Sequence, residues 1–193
     1  QMPLIDRDIF FDNAEVSSCS LSPDGNYIAF LKEYEDAMNV YVKGIDEDFK
    51  DAKMLTNSKT SILGFFWTFD SKYIIFANDN EGDENLSIFA VDPKAPADGQ
   101  VPPSRNLTPQ ENSTARLYDV SRKDPNIIML GLNDRDESWH DLYKLNIETG
   151  ELELQFENNE RITGWDFDWD ENARFAYRTD ENGFSQILTV DEN

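Results

Sequence analysis

The sequence predicts an all-β protein, a β-propeller of about four antiparallel, four-stranded blades. An internal repeat of blade length and a common order of turns and apolar runs within each copy point to this architecture, and helical periodicity is nearly absent. The first copy reads Ser22-Pro23-Asp24-Gly25-Asn26-Tyr27-Ile28-Ala29-Phe30, and the second Thr68-Phe69-Asp70-Ser71-Lys72-Tyr73-Ile74-Ile75-Phe76. With small shifts a third starts at Ser121 and a fourth at Asp168, so that Asp24, Asp70, Asp124 and Asp170 recur at intervals of 46, 54 and 46 residues.

Each copy begins with an apolar stretch, seen at Ile62 to Trp67, Ala115 to Val120 and Ile162 to Phe167, which runs into the turn. A continuous apolar run follows, such as Tyr27 to Leu31 or Tyr73 to Ala77, of the kind that suits a strand covered on both faces. Polar loops at Glu33 to Asp36, Asn78 to Glu84, Asn133 to Trp139 and Thr179 to Gly183 lead to a next strand at Asn39 to Val42, Leu86 to Val91, Leu142 to Leu145 and Ile187 to Val190. An outermost short strand fits Met54-Leu55-Thr56, Leu107-Thr108 and Leu152 to Phe156. The blades are therefore placed at 14–57, 61–109, 114–157 and 161–193. Pro93 to Pro103, with four prolines, reads as an enlarged loop in the second blade, and Ile5 to Asn13 as a short helical turn or an edge strand.

The last copy stops at Val190-Asp191-Glu192-Asn193, just after its third strand. A propeller must join its last blade to its first, so the expectation is an incomplete propeller from a longer polypeptide, with self-association through its open edges. The alternative is that Ile9-Phe10-Phe11 completes the fourth blade.

Composition narrows the partners. Lys plus Arg number 17 against 39 Asp plus Glu, a net charge of −22, which repels phosphate backbones and anionic lipid and excludes nucleic acid and membrane surfaces as partners. No apolar run reaches the length of a membrane span. Cys19 is the only cysteine, so no intrachain disulfide forms, and it reads as a small buried hydrophobe. The compartment stays open, with periplasm or secretion favoured over cytoplasm.

Three longer stretches carry a family resemblance. They are Gly64-Phe65-Phe66-Trp67 running into Asp70-Ser71-Lys72-Tyr73-Ile74, Gly82-Asp83-Glu84-Asn85 before a strand ending Ala90-Val91-Asp92-Pro93, and Gly131-Leu132-Asn133-Asp134-Arg135-Asp136 with Trp139-His140-Asp141-Leu142-Tyr143. With the Ser-Pro-Asp-Gly turn, they resemble the N-terminal propeller of prolyl-oligopeptidase-type (family S9) serine peptidases, dipeptidyl-aminopeptidase or acylaminoacyl-peptidase-like members. The resemblance implies a propeller that restricts entry of peptides to an α/β-hydrolase domain bearing a Ser-Asp-His triad. Here no G-x-S-x-G elbow occurs, and the single histidine, His140, falls in a propeller repeat, so the hydrolase domain is absent from this chain and no residue in it is catalytic. A TolB-like propeller, acting as a protein–protein interaction module, is the alternative. Trp165-Asp166 and Trp169-Asp170 are not WD40 dipeptides, since they flank the turn between first and second strands, and they read as blade-packing aromatics.

Glu15, Arg116 and Arg161 lie near the starts of the innermost strands and are the candidates to face a peptide in the channel; an arginine can grip a peptide carboxylate with two parallel hydrogen bonds. The competing reading of these residues is inter-blade ion pairing. Asp79 to Glu84 offers oxygen donors without EF-hand spacing, and Asp134, Asp136, Glu137, His140 and Asp141 offer metal-ligand chemistry with one histidine only, so neither is assigned a metal. No cofactor is expected. The carboxylate pairs Asp12 with Glu15 and Asp168 with Asp170 lack any evidence of facing across a cleft. Asn85, Asn106 and Asn112 fit the N-glycosylation pattern, which frequent asparagine and serine make uninformative.

Overall fold

The computed structural model describes residues 15–79, 82 and 85–190. The segments read from sequence as Ile5 to Asn13 and Ile9-Phe10-Phe11, together with Asp12, lie outside the described residues. The fold is all-β, with one 3₁₀ turn at Phe49–Asp51. Among the described residues, fifteen strands form four antiparallel sheets whose spatial order follows the chain. Blade 1 holds β1 (Val16–Leu21), β2 (Tyr27–Tyr34), β3 (Ala37–Gly44) and β4 (Lys53–Met54). Blade 2 holds β5 (Phe65–Trp67), β6 (Ile74–Asn78), β7 (Ser87–Val91) and β8 (Ser104–Asn106). Blade 3 holds β9 (Ala115–Val120), β10 (Ile127–Asp136), β11 (Trp139–Asn146) and β12 (Leu152–Phe156), and the described part of blade 4 holds β13 (Gly164–Phe167), β14 (Ala173–Thr179) and β15 (Ser185–Thr189).

The apolar runs are covered on both faces because the sheets stack. Ala29, Leu31, Val40 and Val42 of blade 1 share a buried cluster with Phe65, Trp67, Ile74 and Phe76 of blade 2. In β6 the alternate residue Ile75 points the other way and joins Ile88 and Ala90 against Ile128, Leu130 and Leu132 of blade 3. Met129 and Leu142 turn to the opposite face and meet Ile162, Trp165 and Ala176 on the blade 4 side. Period-two alternation therefore feeds two interfaces from each internal blade, the radial stacking of a propeller.

The repeated turn has a common hydrogen-bond pattern. Ser22 Oγ donates to Asp24 Oδ1 (2.6 Å) and accepts from the Tyr27 amide (2.9 Å), and Thr68 does the same with Asp70 (2.7 Å) and Tyr73 (2.9 Å). Gly25, Ser71 and Glu171 take the left-handed position of their turns, with φ of 74°, 59° and 61°. In blade 3 that place falls on Pro125, whose ring forbids positive φ, and the turn is one residue longer. This explains the shift in the third repeat. A second shared device closes the blades: Thr56 Oγ1 accepts the Val40 amide and Thr108 Oγ1 the Ile88 amide, both at 2.9 Å, while Leu55 and Leu107 are buried beside them.

Several expectations are corrected. The hairpin between β2 and β3 is tighter than the loop Glu33 to Asp36: β2 runs through Tyr34, and Glu35 and Asp36 both adopt positive φ (50° and 66°), the geometry of a two-residue turn that matches strand twist. Likewise β10 extends to Asp136 and β11 starts at Trp139, so most of Asn133 to Trp139 is strand. The outer strand of blade 2 is Ser104–Asn106, just before Leu107-Thr108. Cys19 is exposed, because a register shift between Ser17 and Ser20, with Ser18 at φ 53°, interrupts the alternation of β1. Trp165 packs at 7% exposure against Phe156, but Trp169 is 72% exposed and is not a packing residue of the blade interior.

Candidate functional site

In each sheet the first strand is one edge, and the first strands of blades 3 and 4, β9 and β13, approach each other. Fanning sheets converge where such strands meet, which puts first strands on the axial side. Glu15 precedes β1, Arg116 is the second residue of β9 and Arg161 lies in the loop before β13. All three stand at the end of the blades where first strands begin.

Glu15 does not stand free: it pairs with Lys32 of β2 at 3.3 Å, within its own blade, and its side chain is 82% exposed. Arg116 is exposed opposite Gly131 of β10. Arg161 is exposed at φ 60°. Neither arginine has an ion pair or hydrogen bond among the described residues, although the chain has more than twice as many carboxylates as cations. No contact joins the three residues to one another.

Behind Arg116 lies a polar cluster that the sequence did not reveal. Gly131 leaves room for the Tyr118 ring: a Cβ there would sit 2.7 Å from Tyr118 Oη and 2.9 Å from His140 Cβ. Tyr118 Oη and His140 Nε2 are buried without a hydrogen-bond partner among the described residues. Burial, aided by the nearby Arg116 charge, pulls the His140 imidazole down to about 4, while a Thr114 backbone hydrogen bond and the Asp141 charge oppose it. At neutral pH it is an uncharged ring. Burial also pushes the Tyr118 hydroxyl up.

The next residue of β11 faces the other way and is charged. Asp141, 1% exposed, accepts from Arg135 Nε (2.7 Å) and Nη2 (2.8 Å) and from the Asn158 amide (2.7 Å). Burial raises its carboxyl, but the Arg135 hydrogen bonds and the Asn158 amide outweigh that and hold it below the usual carboxylate range. The signal that could have found this pair is the position of Arg135 and Asp141 on facing strands of one hairpin.

The metal readings find no support in the geometry. Asp141 is committed to Arg135, Asp136 Oδ1 accepts the Ser138 amide (2.9 Å), and no metal-ligand group of three His, Cys, Asp or Glu forms among the described residues. Of Asp79 to Glu84, residues 80, 81, 83 and 84 lie outside the described residues; Asp79 Oδ1 accepts from Thr60 Oγ1 at 2.5 Å. Asp168 accepts the amides of Asp170 (2.9 Å) and Asn172 (3.1 Å), and Asp170 pairs with Lys123, so these two carboxylates are turn and ion-pair groups.

At the opposite end of the blades, the residues following Thr68, Ser121 and Asp168 line up across three turns. The Arg122 guanidinium lies 5.4 Å from the Phe69 ring centroid and 4.9 Å from that of Trp169. The repeat alignment made these positions equivalent, but their stacking depends on how closely neighbouring blades approach.

No family model matches the chain. It is 32% identical over 185 residues to dipeptidyl aminopeptidase BIII of Pseudoxanthomonas mexicana, covering 96% of this chain and 26% of that protein. It is 26% identical to dipeptidyl peptidase family member 6 of Caenorhabditis elegans, covering 93% of this chain and 24% of that protein. The chain thus spans about a quarter of the length of these curated relatives. Among solved structures, a puromycin hydrolase S511A mutant superposes with a TM-score of 0.59 at 18% identity, over 91% of this chain and 27% of the other. TolB from Acinetobacter baumannii superposes with a TM-score of 0.52 at 16% identity, over 90% and 43%. At those identities the structures speak to fold alone, and the sequence relatives speak to lineage. Along nearly all its described length the chain is similar in sequence to these dipeptidyl peptidases and in fold to the propellers of prolyl-oligopeptidase-type (family S9) serine peptidases.

Proposed function

We propose that this chain is the non-catalytic propeller portion of an S9-type peptidase, selecting peptides for a hydrolase domain. The observation that carries this reading is the pair of exposed, unpaired arginines, Arg116 and Arg161, at the axial side of neighbouring blades in a chain otherwise rich in carboxylates. A guanidinium without a partner is available to a peptide carboxylate, while the surrounding negative charge repels acidic side chains, so short peptides with few acids are the favoured class. Glu15 contributes through Lys32 and shapes the rim. The names of the sequence relatives, an aminopeptidase and a peptidase family member, support a peptide as the ligand.

The test is a fluorescence titration of the full chain with acetyl-Ala-Ala-Ala as free acid and as amide. The free acid should bind at least fivefold more tightly, and Arg116→Gln with Arg161→Gln should abolish that difference. Equal binding of acid and amide would remove the role given to the arginines. The chain alone should leave a dipeptidyl p-nitroanilide reporter intact, and hydrolysis by pure protein contradicts the non-catalytic reading. The second reading, a TolB-like interaction module, draws on the fold likeness to TolB. It expects no discrimination between acid and amide.

A further inference from the structure

The sheet of blade 4 has two unlike faces. Ala176 and Leu188 point toward blade 3 and pack with Met129, Leu142 and Trp165. Alternation along β14 and β15 turns Phe175, Tyr177, Ile187 and Thr189 to the opposite face. Phe175 is 44% exposed and Ile187 68%, and Phe184 in the connecting hairpin is 69% exposed. Asp166 of β13, directly across from Phe175, is the one charged side chain that the three strands give this face, and it accepts the Tyr177 hydroxyl. Arg174 and Arg178 lie on the Ala176 side, where they pair with Asp168 and Glu160. In a chain with 29% charged residues, a face so short of charge and so rich in exposed apolar groups has the composition of a contact surface.

The fold shows what such a face packs against. Thr189 stands opposite Phe175 as Ala90 stands opposite Ile75, so Phe175, Ile187 and Thr189 occupy in blade 4 the places of Ile75, Ile88 and Ala90 in blade 2. Those three residues of blade 2 are buried against the next sheet. The occupant that suits the blade 4 face is therefore another sheet, flat and uncharged. At the far end of the stack, blade 1 does not offer one. Its outer face is capped by its own chain: Phe30 is fully buried, stacked on Tyr41 (5.9 Å) and met edge-on by Phe49 (5.2 Å). Lys43, 5% exposed, holds its ammonium 5.2 Å from the Phe49 ring centroid. A head-to-tail contact between copies would have to bury that charge and displace the cap. The blade 4 face of a second copy carries no such penalty.

We infer that the outer face of blade 4 is a self-complementary surface on which two copies of this chain stack sheet to sheet about a two-fold axis, with Phe175 and Ile187 of each copy interleaved at the centre. An isologous contact closes after two copies, so the product is a dimer and not a fibre. Each copy carries a charge of −22, and that charge opposes the approach without being buried by it, since the acids of the hairpin, Asp180 and Glu181, stay at the rim. Screening shortens from about 30 Å at 0.01 M salt to about 8 Å at 0.15 M, so the dimer should tighten as salt is added, the reverse of a contact made by ion pairs. The inference is independent of the proposed function, whose test reads peptide binding and not assembly.

The experiment is sedimentation-velocity ultracentrifugation of the full chain over a hundredfold range of concentration, at low and at high sodium chloride. A monomer–dimer equilibrium is expected, with a dissociation constant at least threefold lower at high salt. Ile187→Lys and Thr189→Lys, both at exposed positions, should each raise that constant at least tenfold while leaving the thermal unfolding midpoint of the monomer in place, and Phe49→Ser should leave it unchanged. A monomer at every concentration and salt overturns the inference, as does a dimer that weakens with salt. Weakening by Phe49→Ser, or growth beyond the dimer, replaces it with head-to-tail stacking. A dimer that survives both lysines, with the β15 amides newly protected from hydrogen exchange, is paired through the strand edge and also overturns it.

Discussion

Asp141 and Arg135 meet in two parallel hydrogen bonds across the β10–β11 hairpin, with the carboxylate 1% exposed and the guanidinium side chain 35% exposed. The exposed partner keeps part of its hydration, and the buried one is compensated three times over, by Nε, Nη2 and the Asn158 amide. Removing only the carboxylate leaves the Asn158 amide buried and unpaired. Asp141→Ala should therefore cost about 3–5 kcal/mol, the range for breaking a buried pair from one side, whereas Arg135→Lys costs less because an ammonium reaches one oxygen. Urea unfolding of both variants checks the order; equal losses contradict it.

Gly131 makes a prediction about space. Its absent Cβ would meet Tyr118 Oη at 2.7 Å and Cε2 at 2.8 Å, and His140 Cβ at 2.9 Å. Gly131→Ala should destabilise by about 1–3 kcal/mol through overpacking. Tyr118→Phe removes a buried hydroxyl with no partner and should be close to neutral by itself. In the double variant the nearest clash is gone, so part of the Gly131→Ala loss should return. A strictly additive double variant in thermal unfolding shows that the hydroxyl contact is not the source of strain.

What the sequence disclosed depends on the range of the interaction. The four turns were legible because Ser22, Thr68 and Ser121 make their bonds within a few residues, and the sheet order followed from their recurrence. Cys19 was misread because the bulge at Ser18 that exposes it has no strong residue signal. Trp169 was misread because the companion of a surface tryptophan lies in the next blade, 47 residues away in sequence at Arg122. The arginines at 116 and 161 were placed near the axis by the repeat, but whether each would find a carboxylate depended on inter-blade geometry that a run of letters does not contain.

Thr108 tests the device that closes the blades. Its hydroxyl accepts the buried Ile88 amide at 2.9 Å, and it is 1% exposed. Thr108→Val keeps the shape and leaves that amide unpaired, which should cost about 1–3 kcal/mol. Thr56→Val should behave in parallel in blade 1, where the Val40 amide loses its acceptor, while Asn39 Oδ1 loses the Thr56 hydroxyl but keeps the Ser58 amide. Amide hydrogen exchange at Ile88 and Val40 should speed up in the respective variants, and unchanged exchange at both sites rules the device out.

His140 makes the fold sensitive to mild acid. Burial and the Arg116 charge hold the imidazole down to about 4 in the folded chain, while an unfolded histidine titrates at about 6.5. Between those values the unfolded state binds a proton that the folded state refuses, so stability is complete above about pH 6.5 and is lost as pH falls toward 4. Across that window the loss should approach about 3 kcal/mol, and below it His140 adds no further slope. Asp141 acts lower on the scale: its depressed carboxyl contributes stability that is present above the ordinary carboxylate range and disappears only as pH falls below it. His140→Leu should therefore flatten the dependence of the unfolding midpoint between pH 6.5 and 4 while leaving the steeper acid limb in place. Arg116→Gln removes the opposing charge, so the imidazole should protonate more readily, its NMR titration midpoint should rise, and the histidine limb should shorten from its low-pH end. A midpoint unmoved by Arg116→Gln and a pH profile unmoved by His140→Leu would together show that the acid sensitivity resides elsewhere.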